Sequence, residues 1–241
     1  MIILENISKR FGNTVVLDRV HAEIPLRKTT FVLGPSGHGK TVFLKTSIGL
    51  LKPDEGRIHF EGREILKFSE KELYRFWTDI GFVFQEAALI DSLTVAENLS
   101  LFLTYQARLG QTEIRSRVRD LLAYVGLEQM EDKFPEELSG GMKKRVAVAR
   151  ALAKDPPYLF IDEPTSGIDE ENARILKDLI ARLSRQGNKT TIIATHDRQM
   201  MQELADYVIF IKNRKIPFAG PASRIEEGRL KDLYRKESNE R

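Results

Sequence analysis

The chain has 241 residues, enough for a large buried core and between one and two average domains. Hydrophobic residues make up 41% and charged residues 30%, the balance of a soluble globular protein, and a net charge of +3 is too even to argue for a nucleic-acid partner. There is no cysteine, which excludes disulfides, zinc thiolate sites and iron–sulfur clusters.

Met1-Ile2-Ile3-Leu4 meets Glu5 at once, so no signal-peptide core is expected. No apolar run approaches the ~18 residues of a spanning helix, so a membrane function would need another chain to supply the span. Ile2–Ile7 and Val15–Ile24 read as strands. Thr30–Leu33 is a compact apolar strand that runs into Gly34-Pro35-Ser36-Gly37-His38-Gly39-Lys40-Thr41, and Lys40–Gly49 follows as a helix. The segment fits G-x-x-x-x-G-K-[ST] in the strand–loop–helix context that a phosphate-binding loop requires. Its glycines let successive backbone N–H groups turn inward toward phosphate oxygens, and the helix adds its N-terminal dipole. Lys40 is expected to reach the β- and γ-phosphates as a point charge, and Thr41 to offer its hydroxyl to Mg²⁺. The expected ATP contacts thus run through Gly34, Pro35, Ser36, Gly37, His38, Gly39, Lys40, Thr41 and Val42, with His38 contributing mainly through its backbone.

Gly81–Phe84 reads as the next strand. The stretch 86–155 is mostly helical in pattern. It is expected to form a helical subdomain inserted into an α/β core of residues 1–85 and 156–228, the whole making one domain with a charged tail at 229–241. Leu138-Ser139-Gly140-Gly141-Met142-Lys143-Lys144-Arg145 opens a helix that continues to Leu152, with Ser139 a good N-cap. Tyr158–Ile161 is a strand ending in Asp162-Glu163. Ligands bind where parallel strands end, so Asp162 is placed to hold Mg²⁺, directly or through water, and Glu163 to orient and deprotonate an attacking water. Glu170–Arg185 repeats Ile175, Leu176, Leu179, Ile180 and Leu183 at helical spacing. Thr190–Ala194 and Tyr207–Ile211 are further strands. The runs 158–161 and 191–194 lack polar alternation, as in a parallel sheet covered by helices. The charged end, Arg229–Arg241, is expected to fray.

Leu138-Ser139-Gly140-Gly141, just ahead of the Asp162-Glu163 strand, resembles the signature motif of ABC ATPases, and the resemblance covers almost the whole chain in the expected order. It implies an α/β P-loop NTPase (ABC ATPase) core sheet with an inserted helical subdomain. Phe11 matches the aromatic that stacks on adenine, and Gln85 the glutamine that links nucleotide, Mg²⁺ and membrane partner. Ser166-Gly167-Ile168-Asp169 matches the loop that crosses between subunits, and His196 the switch histidine beside the γ-phosphate. The resemblance also implies that Ser139, Gly140 and Gly141 form a second anion cradle for the ATP held by an opposite copy, so that two chains close as a homodimer around ATP. Glu163, His196 and Gln85 would then carry catalysis, and Thr41, Gln85 and Asp162 would hold the metal.

Two departures narrow the resemblance. Most members follow the signature with further glutamines before the arginine, whereas this chain has Met142-Lys143-Lys144-Arg145. After Gln85 it reads Glu86-Ala87-Ala88-Leu89-Ile90-Asp91-Ser92-Leu93-Thr94-Val95-Ala96-Glu97-Asn98-Leu99. Both segments look like the ATPases of Mla/MCE-type phospholipid transporters. That implies an integral permease dimer, an MCE-domain lipid-binding partner, a phospholipid cargo, and a peripheral place on the cytoplasmic face of the inner membrane. Ala87, Ala88, Leu89 and Ile90 would either line a docking groove for the permease or pack inside the helical lobe. The alternatives are the ATPase of another ABC importer or lipoprotein-release system, or a soluble ABC ATPase acting on ribosomes, DNA or cluster assembly. Ribosome-acting relatives usually carry two ATPase units in one chain and DNA-acting ones insert a long coiled coil, and this chain shows one unit and no heptad arm.

Overall fold

The computed structural model describes residues 1–106 and 109–235, so the last part of the expected frayed tail, 236–241, lies outside the described residues. The chain divides into two compact units, one of Met1–Leu73 with Thr190–Arg241 and one of Tyr74–Lys189.

In the first unit, β1 (Ile2–Phe11) and β2 (Thr14–Ile24) form an antiparallel hairpin. Ile2, Leu4, Ile7, Leu17, Val20, Ala22 and Ile24 are buried, and the residues between them are more exposed, the period-2 pattern of a strand with one covered face. β4 (Glu55–Phe60) pairs antiparallel with β1, with Leu4 opposite Ile58 and Ile2 opposite Phe60, and the short β5 (Arg63–Glu64) extends that sheet. β3 (Thr29–Leu33) is buried at every position. It runs parallel both to β8 (Thr190–Ala194) and to β9 (Tyr207–Lys212), and β10 (Lys215–Pro221) adds antiparallel to β9. The residue types fit these places. Thr29-Thr-Phe-Val-Leu33 and Thr191-Ile-Ile-Ala194 are buried on both faces, as strands covered on both faces require. Pro217 sits in β10, where a missing N–H is tolerated. α1 (Lys40–Ser47) buries Phe43 and Leu44, and α7 (Arg198–Leu204) buries Met200 and Met201.

The second unit carries a parallel pair, β6 (Ile80–Val83) beside β7 (Tyr158–Asp162), with Val83 opposite Ile161. Three helices fill residues 86–155 among those described: α3 (Val95–Gln106), α4 (Gln111–Tyr124) and α5 (Gly140–Leu152). α5 buries the consecutive run Val146, Ala147, Val148 and Ala149, so it is covered around most of its circumference. α6 (Glu170–Arg185) is amphipathic. Leu176, Leu179, Ile180 and Leu183 are buried, each worth roughly 1.5–3 kcal/mol, whereas Ile175, counted with them from its spacing, faces outward at 36% exposure. α2 (Glu70–Thr78) begins with a capping box in which Ser69 and Glu72 satisfy each other's backbone N–H groups.

The described part of the tail is not frayed. α8 (Glu227–Tyr234) buries Leu230 and sets the Tyr234 ring edge-on to Phe210, centroids 4.8 Å apart, with the Arg198 guanidinium 4.0 Å from the Tyr234 ring centroid. Charge count alone missed this because the anchoring groups are two residues among many polar ones. Among the described residues no helix is long and apolar enough to cross a membrane.

Candidate functional site

In the first unit the loop between β3 and α1 is held open by backbone geometry. Gly34 has φ 151°, and a Cβ there would lie 2.1 Å from the carbonyl oxygen of Ile211 in β9, so only glycine passes. Gly39, at φ 97°, is the N-cap of α1 and makes no side-chain cap hydrogen bond. The ammonium of Lys40 folds back onto the loop, donating to the carbonyl oxygens of Gly34 (3.0 Å) and Pro35 (3.3 Å). The loop thus brings a glycine-rich backbone and the Lys40 ammonium together at the start of α1. It suits a polyphosphate: the anion would collect the N–H groups and draw Lys40 off its own carbonyls.

His38 does more than expected. Its Nδ1 accepts the backbone N–H of Asn213 at 3.1 Å, tying the loop to the β9–β10 turn, where Asn213 and Arg214 both have positive φ. Ser36 and Gly37 are exposed, Pro35, Thr41 and Val42 half-buried. Phe11, at the end of β1, has half its surface exposed, with the Lys9 ammonium 5.5 Å from its ring centroid. An aromatic left open at a strand end is free to take a planar partner. His196 is exposed and follows β8, whose last residue, Ala194, is opposite Val32 in β3, so the loop after β8 and the loop after β3 leave neighbouring parallel strands at the same end. Asp197 caps α7 by accepting the N–H of Met200 at 2.9 Å.

In the second unit β7 delivers Asp162, 1% exposed, and then Glu163, 8% exposed. Glu163 has φ 43°, a left-handed backbone that a residue with a side chain adopts only when its surroundings hold it there. Its carbonyl oxygen receives the N–H of Ser166 (3.2 Å), the hydroxyl of Ser166 (2.9 Å) and the ammonium of Lys144 (3.2 Å). Asp169 is the N-cap of α6 and accepts from both the backbone N–H of Asn172 (2.9 Å) and its side-chain amide (2.7 Å). The backbone N–H of Asn172, then its amide, hold the Asp169 carboxyl below the usual carboxylate range.

Ser139 caps α5 as expected, its Oγ accepting the N–H of Met142 at 3.2 Å, and it is exposed together with Gly140. Gly141 is buried against α6, where a Cβ would sit 2.3 Å from the Asn172 Cγ. Gln85 is exposed just beyond β6. The segment after it divides: Ala87 is buried, Ala88 and Ile90 are exposed, and Leu89 is intermediate. Ala87 and Ala88 both have positive φ, and the Arg150 guanidinium donates to their carbonyl oxygens (2.8 and 2.6 Å). The buried Asn98 side chain bonds both the N–H and the C=O of Ile90 (2.8 and 3.0 Å) and the carbonyls of Leu93 and Thr94. The sequence assigns Arg150, Asn98 and Lys144 no such contacts, since nothing local marks a long polar side chain as one that clamps a distant loop.

Among the described residues no group of three His, Asp or Glu side chains converges as a metal site. The donors at Thr41 and Asp162, a hydroxyl and a carboxylate, are hard oxygens of the kind Mg²⁺ takes when most of its shell comes from phosphates and water.

A family model described as ABC transporter matches residues 17–166. The chain is 40% identical over 228 residues to a Chlorella vulgaris protein described as a probable sulfate/thiosulfate import ATP-binding protein, CysA, covering 94% of this chain and 93% of that one. It is 38% identical over 218 residues to a Mycobacterium bovis protein described as a probable ribonucleotide transport ATP-binding protein, mkl. That match covers 90% of this chain but only 61% of the mycobacterial protein. Among solved structures it resembles an ATP-binding cassette seen as a dimer in a post-hydrolysis state with ADP and Pi, at TM-score 0.83 and 31% identity, covering 92% of this chain and 98% of that one.

Proposed function

The chain belongs to the ABC transporter family as an ATP-binding, ATP-hydrolysing subunit with the α/β P-loop fold of ABC cassettes, and on that premise we propose that it powers an importer-type transporter as a closed pair of copies beneath a membrane permease. The observation that carries the nucleotide part is the loop at Gly34–Thr41, with Gly34 pressed against Ile211, Gly39 as the N-cap of α1 and the Lys40 ammonium on the Gly34 and Pro35 carbonyls. ATP would enter with its phosphates on the loop N–H groups and Lys40, and its adenine on Phe11. Mg²⁺ held by Thr41, Gln85 and Asp162 would supply positive charge to the phosphates.

Glu163 would take a proton from water as the water oxygen bonds to the γ-phosphorus. The bond from that phosphorus to the β–γ bridging oxygen breaks, giving ADP and phosphate, and the proton leaves Glu163 for the phosphate. His196 would hold the γ-phosphate, and Ser139, Gly140 and Gly141 of a second copy would complete the site, with Asp169 at the crossing loop. Loss of the γ-phosphate removes the bridge between copies and lets the pair open, a two-state cycle that a permease can use. The import direction is supported by the sulfate/thiosulfate import description of the 40% identical relative.

A second reading, phospholipid transport with an MCE-type partner, is favoured by one specific feature. The Met142-Lys143-Lys144-Arg145 run departs from the glutamines usual after the signature, and Lys144 is built into the loop that carries Glu163. Co-purification of the tagged chain from native membranes separates the two. An import permease with a soluble-substrate receptor supports the first reading, a permease with an MCE-domain protein and bound phospholipid the second. The absence of any membrane partner would overturn both and return weight to a soluble ABC ATPase.

A further inference from the structure

Lys144 lies in the second turn of α5, and 7% of its surface is exposed. Its ammonium donates to three oxygens of one loop: the carbonyl of Glu163 (3.2 Å), the carbonyl of Ser166, and the hydroxyl of Ser166 (3.1 Å). An ammonium has three N–H donors and no acceptor, so the number and kind of partners match it fully. A glutamine amide has two N–H donors, carries no charge and brings an acceptor that this loop cannot use. The site is costly for a cation. Burial pulls the Lys144 ammonium below the ordinary lysine range, against the opposing pull of the carboxylates of Glu86, Glu163 and Asp162. A charged side chain placed at that cost, with every donor spent on a single loop, fixes that loop.

The loop needs fixing. Glu163 holds a left-handed φ of 43°, and the carbonyl that Lys144 grips is Glu163's own. With the Ser166 N–H and hydroxyl, three donors converge on that one oxygen and set the peptide plane that follows Glu163. Rotating this plane moves ψ of Glu163, and the carboxylate is carried on the same residue.

We propose that Lys144 is a positioning residue for ATP hydrolysis: its ammonium, reaching from the helix that follows the Leu138–Gly141 motif, clamps the Glu163–Ser166 loop and so sets the placement of the Glu163 carboxylate. The proposal rests on the reading of Glu163 as general base. A lysine here, rather than a glutamine, makes the clamp charged and three-pronged.

The test uses the full chain and measures steady-state ATP hydrolysis beside binding of a fluorescent ATP analogue for the wild type, Lys144→Met, Lys144→Gln and Glu163→Gln. Lys144→Met keeps the length and removes the donors. It is expected to lower kcat on the order of 10²-fold, the scale of a misplaced catalytic group, with KM and analogue affinity changed by less than about two-fold. Lys144→Gln, with two donors restored, is expected to recover part of kcat. Melting curves establish that each variant folds, and if Lys144→Met does not, the kcat-to-KM split of Lys144→Gln decides the matter. Wild-type kcat in the folded lysine variants, beside a large loss in Glu163→Gln, overturns the proposal and leaves the base assignment intact. A parallel loss of affinity and kcat with no recovery in Lys144→Gln also overturns it, in favour of a purely structural lysine. Unchanged turnover in Glu163→Gln would instead remove the general base and this proposal with it.

Discussion

The Nδ1 of His38 accepts the backbone N–H of Asn213 at 3.1 Å, so the phosphate-binding loop is tied by a side chain to the turn between β9 and β10. The hydrogen bond spans 175 residues of sequence and joins two segments whose backbones are both constrained, the loop by Gly34 and Gly39 and the turn by the positive φ of Asn213 and Arg214. His38→Ala removes the tie without touching any backbone donor. A neutral hydrogen bond of this kind is worth about 0.5–1.5 kcal/mol, so ATP affinity is expected to fall about two- to ten-fold with little change in folding. Titration with a fluorescent ATP analogue beside a melting curve measures both. Unchanged affinity would show that the loop holds its shape without His38.

Glu163→Gln keeps the size of the side chain and removes its basicity. Turnover is expected to drop roughly 10²- to 10⁴-fold with ATP still bound, whereas Lys40→Ala is expected to weaken nucleotide binding itself. Phosphate release and equilibrium binding on the two variants give opposite patterns if the roles are as assigned. The same pattern in both would remove the distinction between base and phosphate ligand.

Gly141 packs against α6 with no room for a methyl group, since a Cβ would lie 2.3 Å from the Asn172 Cγ. Gly141→Ala is expected to destabilise the folded state by about 1–3 kcal/mol, the usual cost of overpacking. Pairing it with Asn172→Ala should return part of that loss, although the second change also removes a partner of Asp169. Urea denaturation of the two single variants and the double variant reads the coupling, and strict additivity would locate the strain elsewhere.

Arg150→Met leaves the carbonyl oxygens of Ala87 and Ala88 without their charged donor, in a segment whose backbone is already left-handed at two successive alanines. Hydrogen bonds to charged groups contribute about 1.5–3 kcal/mol, and a loss of that size is expected in chemical denaturation. Because these carbonyls follow Gln85, hydrogen exchange should speed up at residues 85–93 while the amides of β7 stay protected.

The depressed Asp169 carboxyl gives a pH prediction of definite sign. Its backbone and side-chain bonds from Asn172 hold the folded-state value below 3.8, so the stability it contributes is fully present above the unfolded value and is lost as pH falls through the folded one. The wild type should therefore lose stability on acidification from roughly pH 5 downward, and Asp169→Asn, which keeps a capping oxygen but cannot titrate, should lose less over the same range. Melting temperature against pH for the two proteins is the measurement. Parallel curves would assign the acid limb to other carboxylates.

Much of this molecule is legible in order along the chain. Thr30–Leu33 running into Gly34–Thr41 declares a strand, a phosphate loop and a helix within twelve residues, because each of those elements is built from local rules: an apolar run, permissive glycines, a helix start. The strands at 158–162 and 190–194 and the helix at 170–185 are legible for the same reason. The misses share a cause as well. β4 hides among Glu55, Arg57 and His59, with only Ile58 and Phe60 to mark it, and β10 carries two prolines. β4 takes its strand character from β1, distant in sequence, and β10 from its hairpin partner β9. α8 reads as a charged tail until Leu230 is buried and Tyr234 meets Phe210 and Arg198.

The glycine-rich loop at Gly34–Thr41 and the adjacent carboxylates Asp162 and Glu163 are marked in the sequence by residue type and spacing. Only the tertiary structure decided which groups hold them in place. Lys144 on Glu163, Arg150 on Ala87 and Ala88, Asn98 on Ile90 and His38 on Asn213 are contacts between a flexible or planar polar side chain and a backbone atom. A backbone N–H or C=O is the same at every position, so no residue type announces it as the partner. Its availability depends on where the chain has left it unpaired, and that is settled only when the fold is complete.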